Sequence, residues 1–199
     1  NDIAREWFTK LENNDEEAFA LWQWMRDLSL IEFNRVYDLL GCHFDSYAGE
    51  SFYSDKMPAV LEELRAKDVL EKSEGAEIVN LEEYNMPPAL ITKKDGSTLY
   101  MTRDLAAAFY RKKTYDFDKN IYVVGSTQNL HFQQWIKIIE LMGHEWAKDC
   151  VHIGFGQVGL EEGTMSTRKG RVIGLEDVLL KAIEKTKETI EEKNPSLEN

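Results

Sequence analysis

Apolar side chains from Asn13 to Leu40 recur at three- and four-residue spacing or its multiples, which is typical of an amphipathic helix. Asn14 and Asp15 offer an N-cap, and Gly41 stands where a left-handed C-cap is expected. The pattern therefore predicts one long helix over this segment. Its apolar stripe is interpreted as core and not as a cofactor-binding surface. The stripe consists of Trp22, Met25, Phe33, Val36 and Leu40, with Leu21 and Leu28 beside it.

The segment that follows shows shorter patterns of apolar and polar positions. Elements are predicted at residues 43–50 (a strand and turn), 56–67 (a helix with Pro58 in its first turn), 77–80 (a short strand) and 89–92 (a strand). Asp95-Gly96 is a strong signal for a hairpin turn. Residues 98–100 are therefore predicted to return beside 89–92 as the second arm of a hairpin.

Strand and helix patterns alternate in the second half of the chain. Helices are predicted at about 102–112, 130–142 and 175–193, and strands at 121–124 and 150–158. This alternation indicates an α/β fold with a parallel sheet and right-handed crossovers. The chain before residue 86 is mainly helical and is expected to form a separate layer.

Acidic residues outnumber basic ones by 36 to 24, which gives a net charge of −12. A general nucleic-acid binder needs a surplus of Lys and Arg for the phosphates. The composition therefore argues against that class, and DNA is not expected as a partner. Two basic clusters, at residues 111–113 and 168–171, still allow local contacts with phosphates.

Hydrophobic residues make up 43% of the chain and charged residues 30%, as in folded globular proteins. No apolar run reaches membrane-spanning length, and the first six residues lack the pattern of a signal peptide. A cytoplasmic protein without a membrane partner is therefore expected. Cys42 and Cys150 lie far apart, without the spacing of a metal site, and are interpreted as buried free thiols.

Residues 163–171 combine glycines, a hydroxyl pair and three cations in one loop, directly after an apolar run. A flexible basic loop at the carboxyl end of a buried strand is where α/β folds place groups that handle phosphates. Considered alone, the segment fits a solvated basic loop equally well.

Tyr100 and Asp104 are four residues apart at a predicted helix start, so their side chains share one side of the helix. A carboxylate beside a phenol at this place suits a cationic ligand. The alternative is that Asp104 only complements the helix dipole as an acid in the first turn.

Gly125, Gln128 and His131 directly follow the strand predicted at 121–124. Glycine allows the backbone to approach a ligand closely, and the amides at a helix start can face that ligand. The amide of Gln128 both donates and accepts, which suits the ammonium and carboxylate of an amino acid. For His131 a structural role remains an equal alternative.

In their order and approximate spacing, these segments resemble the catalytic domain of arginyl-tRNA synthetases, which belong to class I. The motifs are Gly49-Glu50-Ser51, Tyr100-x-x-x-Asp104 before an Ala-rich helix, Val124-Gly125-x-x-Gln128-x-x-His131-Phe132, and Met165-Ser166-Thr167-Arg168. The resemblance covers essentially the whole chain. It implies an α/β fold in which residues 87–160 form the second half of a Rossmann-type parallel sheet. Residues 1–86 would be a mainly helical insertion layer, and residues 161–199 the Met-Ser-Thr-Arg loop with its following helix.

The resemblance also implies roles for the motif residues. Glu50 and Asp104 would bind the guanidinium of L-arginine, while Tyr100 and Gln128 would orient its amino-acid end. The nucleotide-binding residues would be Gly125, His131, Gly156, Val158 and Met165, and the catalytic residues Ser166, Arg168 and Lys169. The implied substrates are L-arginine, ATP with Mg²⁺ and tRNA(Arg), and the protein is expected to carry no metal site of its own.

Two departures from the family pattern affect these expectations. Thr164 and Thr167 occupy the lysine positions of the second class I signature, so Arg168 and Lys169 would have to supply the positive charge. The first signature, His-Ile-Gly-His, is not found and is expected to precede Asn1. Residues 152–155 look like it but end in Phe and lie just before the basic loop. The chain is therefore expected to be a piece of a larger synthetase and inactive alone. Another class I-like nucleotidyltransferase and a non-catalytic scaffold with a synthetase fold remain as alternatives.

Overall fold

The computed structural model describes residues 2–13, 15–156, 159–160, 163–164 and 173–194. The chain divides into two compact units: the described residues of 1–46 and 162–199 form the first, and those of 47–161 form the second. The domain limits expected at residues 86 and 160 do not coincide with this division, since residues 47–86 share a unit with residues 87–160. A functional division at those limits stays a prediction.

Helices and short strands make up both units. The helices are α1 (Asp2–Glu12), α2 (Glu16–Leu40), α3 (Met57–Ala66), α4 (Tyr100–Tyr115), α5 (Asn129–Leu141) and α6 (Leu175–Lys193). The strands are β1 (Glu71–Ser73), β2 (Ala76–Val79), β3 (Ala89–Thr92), β4 (Asn120–Gly125), β5 (Cys150–Phe155), β6 (Gly159–Leu160) and β7 (Gly163–Thr164). Strands β1, β2 and β3 form an antiparallel sheet, and β4 pairs with β5 in parallel. The predicted α/β class is confirmed.

In the first unit, α2 has the caps that the sequence predicts. Asp15 accepts a hydrogen bond from the backbone N–H of Ala18 at 3.0 Å, and Gly41 adopts a left-handed φ of 66° at the end of the helix. The helix starts at Glu16 and not at Asn13, because a separate helix, α1, precedes it. The other proposed cap, Asn14, lies outside the described residues.

The apolar stripe of α2 is not core, contrary to the expectation from its spacing. Met25, Phe33 and Leu40 are exposed, and Ala18 is the one fully buried residue of this helix. A helical period shows which side chains share a face, but it does not show whether another layer covers that face.

A continuous apolar core fills the second unit, where α3, α4 and α5 pack with β2 and β3. Fully burying an aliphatic or aromatic side chain contributes about 1.5–3 kcal/mol. These elements are therefore held firmly enough to position side chains at their ends. The largest side chains without solvent exposure are Leu64, Leu81, Ile91, Leu105, Trp135, Ile138 and Ile139.

An ion pair fastens α3 to the antiparallel sheet. Arg65 donates two hydrogen bonds to Glu77, from Nε to Oε1 at 3.0 Å and from Nη2 to Oε2 at 2.8 Å. Thr92 donates to the same carboxylate at 3.0 Å. The guanidinium of Arg65 lowers the pKa of Glu77 below its ordinary value.

The turn at residues 93–97 forms as predicted, with a hydrogen bond from the N–H of Lys93 to the C=O of Ser97 at 2.9 Å. Its second arm does not continue as a strand. A single antiparallel bridge forms at Thr98, and α4 begins at Tyr100. The strand predicted for this arm is wrong because α4 starts at Tyr100, which leaves Thr98 alone to pair with Thr92 of β3.

Residues 43–50 contain no strand, which corrects the sequence prediction for this segment. The chain instead enters a short 3-10 helix at Glu50. A strand needs a neighbour for its backbone hydrogen bonds, and the sheets of the described residues have no strand beside this segment.

Strands β4 and β5 run parallel, from the pair Asn120 and Cys150 to the pair Gly125 and Phe155. This confirms the predicted parallel pairing and brings the carboxyl ends of both strands to one edge. The handedness of the crossover through α5 stays a prediction. One face of the pair packs on α5, whereas the other is exposed and carries Ile121, Val123, Ile153 and Phe155.

Both cysteines are free thiols, but only Cys150 is buried, so the expected burial is wrong for Cys42. Burial raises the pKa of the Cys150 thiol to about 11. Among the described residues, no helix combines the length and the apolar character that a membrane crossing requires.

Candidate functional site

The first turn of α4 is fastened to β3 by a buried hydroxyl. Thr102 is fully buried and donates its Oγ1 proton to the C=O of Ile91 at 2.9 Å. Because this side of the turn faces the core, Tyr100, Arg103 and Asp104 lie on its more accessible side. A rigid helix start therefore presents a phenol, a guanidinium and a carboxylate together.

Asp104 contacts His131 across two helices. The distance from Asp104 Oδ2 to His131 Nε2 is 2.6 Å, which is a short charge-assisted hydrogen bond. The ring of Tyr100 lies 5.0 Å from the imidazole, centroid to centroid. The side chain of His131 is 13% exposed and that of Asp104 is 46% exposed, so the imidazole is enclosed while the carboxylate stays accessible. The structure thus brings three of the predicted site residues together.

Glu50 reaches the same turn of α4 through a different partner. Arg103 Nη1 donates to Glu50 Oε2 at 2.7 Å, and the Glu50 side chain is 82% exposed. Glu50 therefore contacts the residue that precedes Asp104, although 53 positions separate Glu50 from Arg103 in the chain. One accessible carboxylate thus belongs to the first turn of α4 and a second contacts it, and carboxylates are acceptors that suit a planar cation.

The turn after β4 leads directly into α5. Residues Ser126–Gln128 form a short 3-10 helix, and Gln128 is exposed. Gly125 has a φ of −51°, which any residue adopts, so the conformational freedom of glycine is not used there. The place of Gly125, at the carboxyl edge of the parallel pair and before the start of α5, fits the sequence expectation of a ligand-facing turn.

Gly154 is where the turn after β4 packs most tightly, and the sequence analysis missed it. A Cβ on Gly154 would lie 3.2 Å from Asn129 Oδ1 and 3.4 Å from the Cα of Ser126. The absence of a Cβ on Gly154 thus allows β5 to approach the turn closely. A glycine in the interior of a predicted strand is the sequence signal that would have found it.

Gly154→Ala is expected to destabilise the protein by about 1 kcal/mol, because the side-chain oxygen of Asn129 must give way to the added methyl group while Ser126 already lies at contact distance on another side. Urea unfolding measures the change in the free energy of unfolding. Gly49→Ala is the matched control, since its φ is −77° and no atom lies within 4 Å of the added Cβ. Equal stabilities of the two variants would contradict the close approach.

His152 has a structural role, which agrees with the interpretation that residues 152–155 are not the His-Ile-Gly-His signature. Its ring stacks on Phe132 at 4.1 Å with an interplanar angle of 8°, and its Nε2 lies 2.8 Å from the C=O of Val124. Both contacts hold β5 against its neighbours, so the segment at 152–155 does not offer a free imidazole.

The predicted phosphate-handling residues are not part of this geometry. Val158, Met165, Ser166, Arg168 and Lys169 lie outside the described residues, and their assignments stay predictions. Gly156 is exposed just after β5, with no atom within 4 Å of an added Cβ. Within the described ranges, no group of three or more His, Cys, Asp or Glu side chains is gathered as metal ligands.

Comparison with known proteins places the chain among similar sequences and structures. The family model for class I tRNA synthetases (R), catalytic domain, matches residues 1–199. The arginine–tRNA ligase of Halothermothrix orenii is 74% identical over 196 residues, which cover 98% of this chain and 35% of that ligase. The arginine–tRNA ligase of Clostridioides difficile is 72% identical over 198 residues, which cover 100% of this chain and 35% of that ligase.

A solved structure agrees with the sequence comparisons. The crystal structure of the arginyl-tRNA synthetase from Plasmodium falciparum is similar to this chain with a TM-score of 0.79 at 26% identity. The similarity covers 96% of this chain and 32% of that one. The chain thus spans about a third of the length of the proteins it matches.

Proposed function

Because the chain belongs to the family of class I tRNA synthetase (R) catalytic domains, we propose that it is part of an arginine–tRNA ligase of the cytoplasm. The enzyme would activate L-arginine with ATP and then transfer it to tRNA(Arg). Since the chain spans 35% of the curated relatives, this activity belongs to the longer ligase. The 199 residues alone are expected to be inactive.

The observation that carries the proposal is a carboxylate on the first turn of α4, Asp104, together with a second carboxylate, Glu50, that contacts the same turn. Asp104 is held there by His131, and Glu50 is held there by Arg103. Each carboxylate has a second oxygen that can accept a hydrogen bond. The guanidinium of arginine presents five N–H groups in a planar fork, so it can engage acceptors from two directions at once.

This arrangement would favour arginine over lysine. The ammonium of lysine is a compact charge that cannot make the same forked contacts. If lysine bound, charged acceptors of the site would be left without partners. A site built on such hydrogen bonds therefore rejects the wrong substrate strongly. Tyr100 and Gln128 would orient the amino-acid end of the bound arginine.

The nucleotide would bind at the carboxyl edge of β4 and β5. Gly125 and Gly156 border that edge, and His131, which contacts Asp104, lies in the first turn of α5, the helix that follows β4. Val158 and Met165 would complete the adenosine site. Mg²⁺ would enter with ATP as part of the substrate, bound to phosphate oxygens.

Activation requires no protein nucleophile. A carboxylate oxygen of arginine attacks the α-phosphorus of ATP, the bond to the β-phosphate breaks, and pyrophosphate leaves with the electron pair. The rate would then come from alignment of the two substrates and from cations that match the charge developing on the phosphates. Ser166, Arg168 and Lys169 would supply a hydroxyl and the charges.

Charging of tRNA by the full-length ligase tests the proposal directly. Total tRNA is incubated with ATP and each of the twenty radiolabelled amino acids in turn, and arginine alone is expected to become acid-precipitable. Charging with a different amino acid would indicate another class I ligase. No charging with any amino acid, by a folded enzyme, would indicate a non-catalytic scaffold.

A further inference from the structure

Arg103 is a candidate for a role that no motif of the sequence assigns to it. Its side chain is 31% exposed, whereas the Glu50 side chain that it contacts is 82% exposed. The better-packed residue of the pair therefore fixes the more exposed one. Without this contact, an exposed Glu side chain would sample several rotamers, and ordering them on ligand binding would weaken affinity.

The packing of Arg103 indicates that this residue does not contribute mainly to the stability of the fold. Its Nε is buried and has no hydrogen-bond partner among the described residues. A buried donor without a partner destabilises the folded protein, and native structures tolerate few of them. Sequences accept such local costs mainly at functional sites.

The position of Arg103 on α4 links it to the second carboxylate. Thr102 fixes the turn to β3, and Arg103 and Asp104 follow in sequence. One rigid turn therefore holds Asp104 directly and Glu50 through the guanidinium.

We propose that Arg103 is a positioning residue for arginine binding, an inference that rests on the proposed function. Its Nη1 holds Glu50 by Oε2 and leaves Oε1 for the guanidinium of the substrate. Arg103 acts through Glu50 and does not itself touch the substrate. A competing role, in which Arg103 occupies Glu50 until the substrate displaces it, makes the opposite prediction for binding.

The test is a double-mutant cycle in the full-length ligase, with Arg103→Met, Glu50→Gln and the double variant. The readout is arginine-dependent ATP–pyrophosphate exchange with tRNA present. Arg103→Met is expected to raise the KM for arginine about five- to tenfold, with little change in kcat or in the KM for ATP. In the Glu50→Gln background the same change should add no further rise, because its only route of action is gone.

Two further variants separate positioning from a loss of folding. Arg103→Lys keeps the charge but not the forked geometry, so it should give a smaller rise in the KM for arginine than Arg103→Met. If Arg103→Met fails to fold, Arg103→Lys takes its place in the cycle. Arg65→Met removes the other long-range Arg–Glu pair of the second unit, with Glu77, and should leave the KM for arginine unchanged.

The outcomes distinguish the inference from the proposed function. An unsubstituted ligase without arginine-dependent exchange would refute the proposed function, and the role of Arg103 with it. If the unsubstituted ligase is active, additive effects of Arg103→Met and Glu50→Gln would refute the positioning role of Arg103 and leave the proposed function intact. A lower KM for arginine in Arg103→Met would also refute the positioning role and would support the competing role, in which Arg103 occupies Glu50.

Discussion

Asp104→Asn in the full-length ligase is expected to raise the KM for arginine about tenfold to a hundredfold, which corresponds to about 1.5–3 kcal/mol of charged hydrogen bonding. The substituted amide keeps an oxygen that can accept from His131 Nε2, which lies 2.6 Å from Asp104 Oδ2. The local structure should therefore persist while the negative charge that attracts the guanidinium is lost. The kcat and the KM for ATP should change much less, because the role proposed for Asp104 is toward the guanidinium and not toward the phosphates.

Steady-state aminoacylation at varied arginine concentrations measures this effect. Asp116→Asn is the matched control, since it makes the same chemical change at the other end of α4. Asp116 pairs with Lys112 and caps the helix in a left-handed conformation, which Asn also tolerates. An unchanged KM for arginine in Asp104→Asn would remove Asp104 from the guanidinium site, whereas equal effects in both variants would indicate a general effect on α4.

Tyr122→Phe is expected to flatten the loss of stability at alkaline pH. Burial raises the pKa of Tyr122 from 10.0 to about 12, although Arg111 above its ring opposes the shift. The unfolded chain releases this proton first, so the stabilising contribution is complete below pH 10 and is lost as the pH rises through 12. The loss amounts to about 2–3 kcal/mol, and phenylalanine cannot undergo it because it does not ionise. At neutral pH the variant should lose about 1 kcal/mol, since Asn120 no longer donates to the hydroxyl at 2.8 Å.

Urea unfolding followed by tryptophan fluorescence, at pH 10 and at pH 12, gives the two free energies of unfolding for each variant. The thiol of Cys150 also has a raised pKa, but both proteins keep it, so its contribution cancels in the comparison. Tyr115→Phe makes the same change at an exposed side chain and should lose stability as steeply as the unsubstituted protein. If the free energy of unfolding of Tyr122→Phe falls between the two pH values as steeply as that of Tyr115→Phe and the unsubstituted protein, the phenol of Tyr122 is not the titrating group.

The local patterns of the chain predict its elements where the partner of each element is also near in sequence. β4, α5 and β5 follow one another, and their alternation was sufficient to predict the parallel pairing. The helix at Leu175–Lys193 and the cap at Gly41 also follow from local signals. The second hairpin arm is an exception, because α4 starts at Tyr100 before the arm can extend beyond the single bridge at Thr98.

The candidate site was only partly accessible to sequence reasoning. The spacing of Tyr100 and Asp104 places them on one turn, and the strand end at Gly125 places His131 at a helix start. The pairing of Arg103 with Glu50 is a tertiary contact across 53 positions, and no local period reports it. The close approach at Gly154 likewise depends on which turn lies beside β5.

The exposed stripe of α2 shows a further limit of sequence patterns. Met25 and Phe33 keep helical spacing and lie on one side of the helix, yet both are exposed in the described structure. Periodicity identifies an apolar face, and only the surrounding chain determines whether that face is buried. The same holds for Val123 and Ile153 on the open face of the parallel pair.

The central claim is that this chain supplies a site in which carboxylates select the guanidinium of arginine for activation. The most direct measurement is ATP–pyrophosphate exchange by the full-length ligase, with tRNA present and with either L-arginine or L-citrulline as the amino acid. Citrulline has nearly the same shape but carries a neutral urea group, so it cannot pair with Glu50 and Asp104 as a cation. The account predicts that kcat/KM for arginine exceeds that for citrulline by more than about a hundredfold. Comparable values for the two amino acids would contradict it.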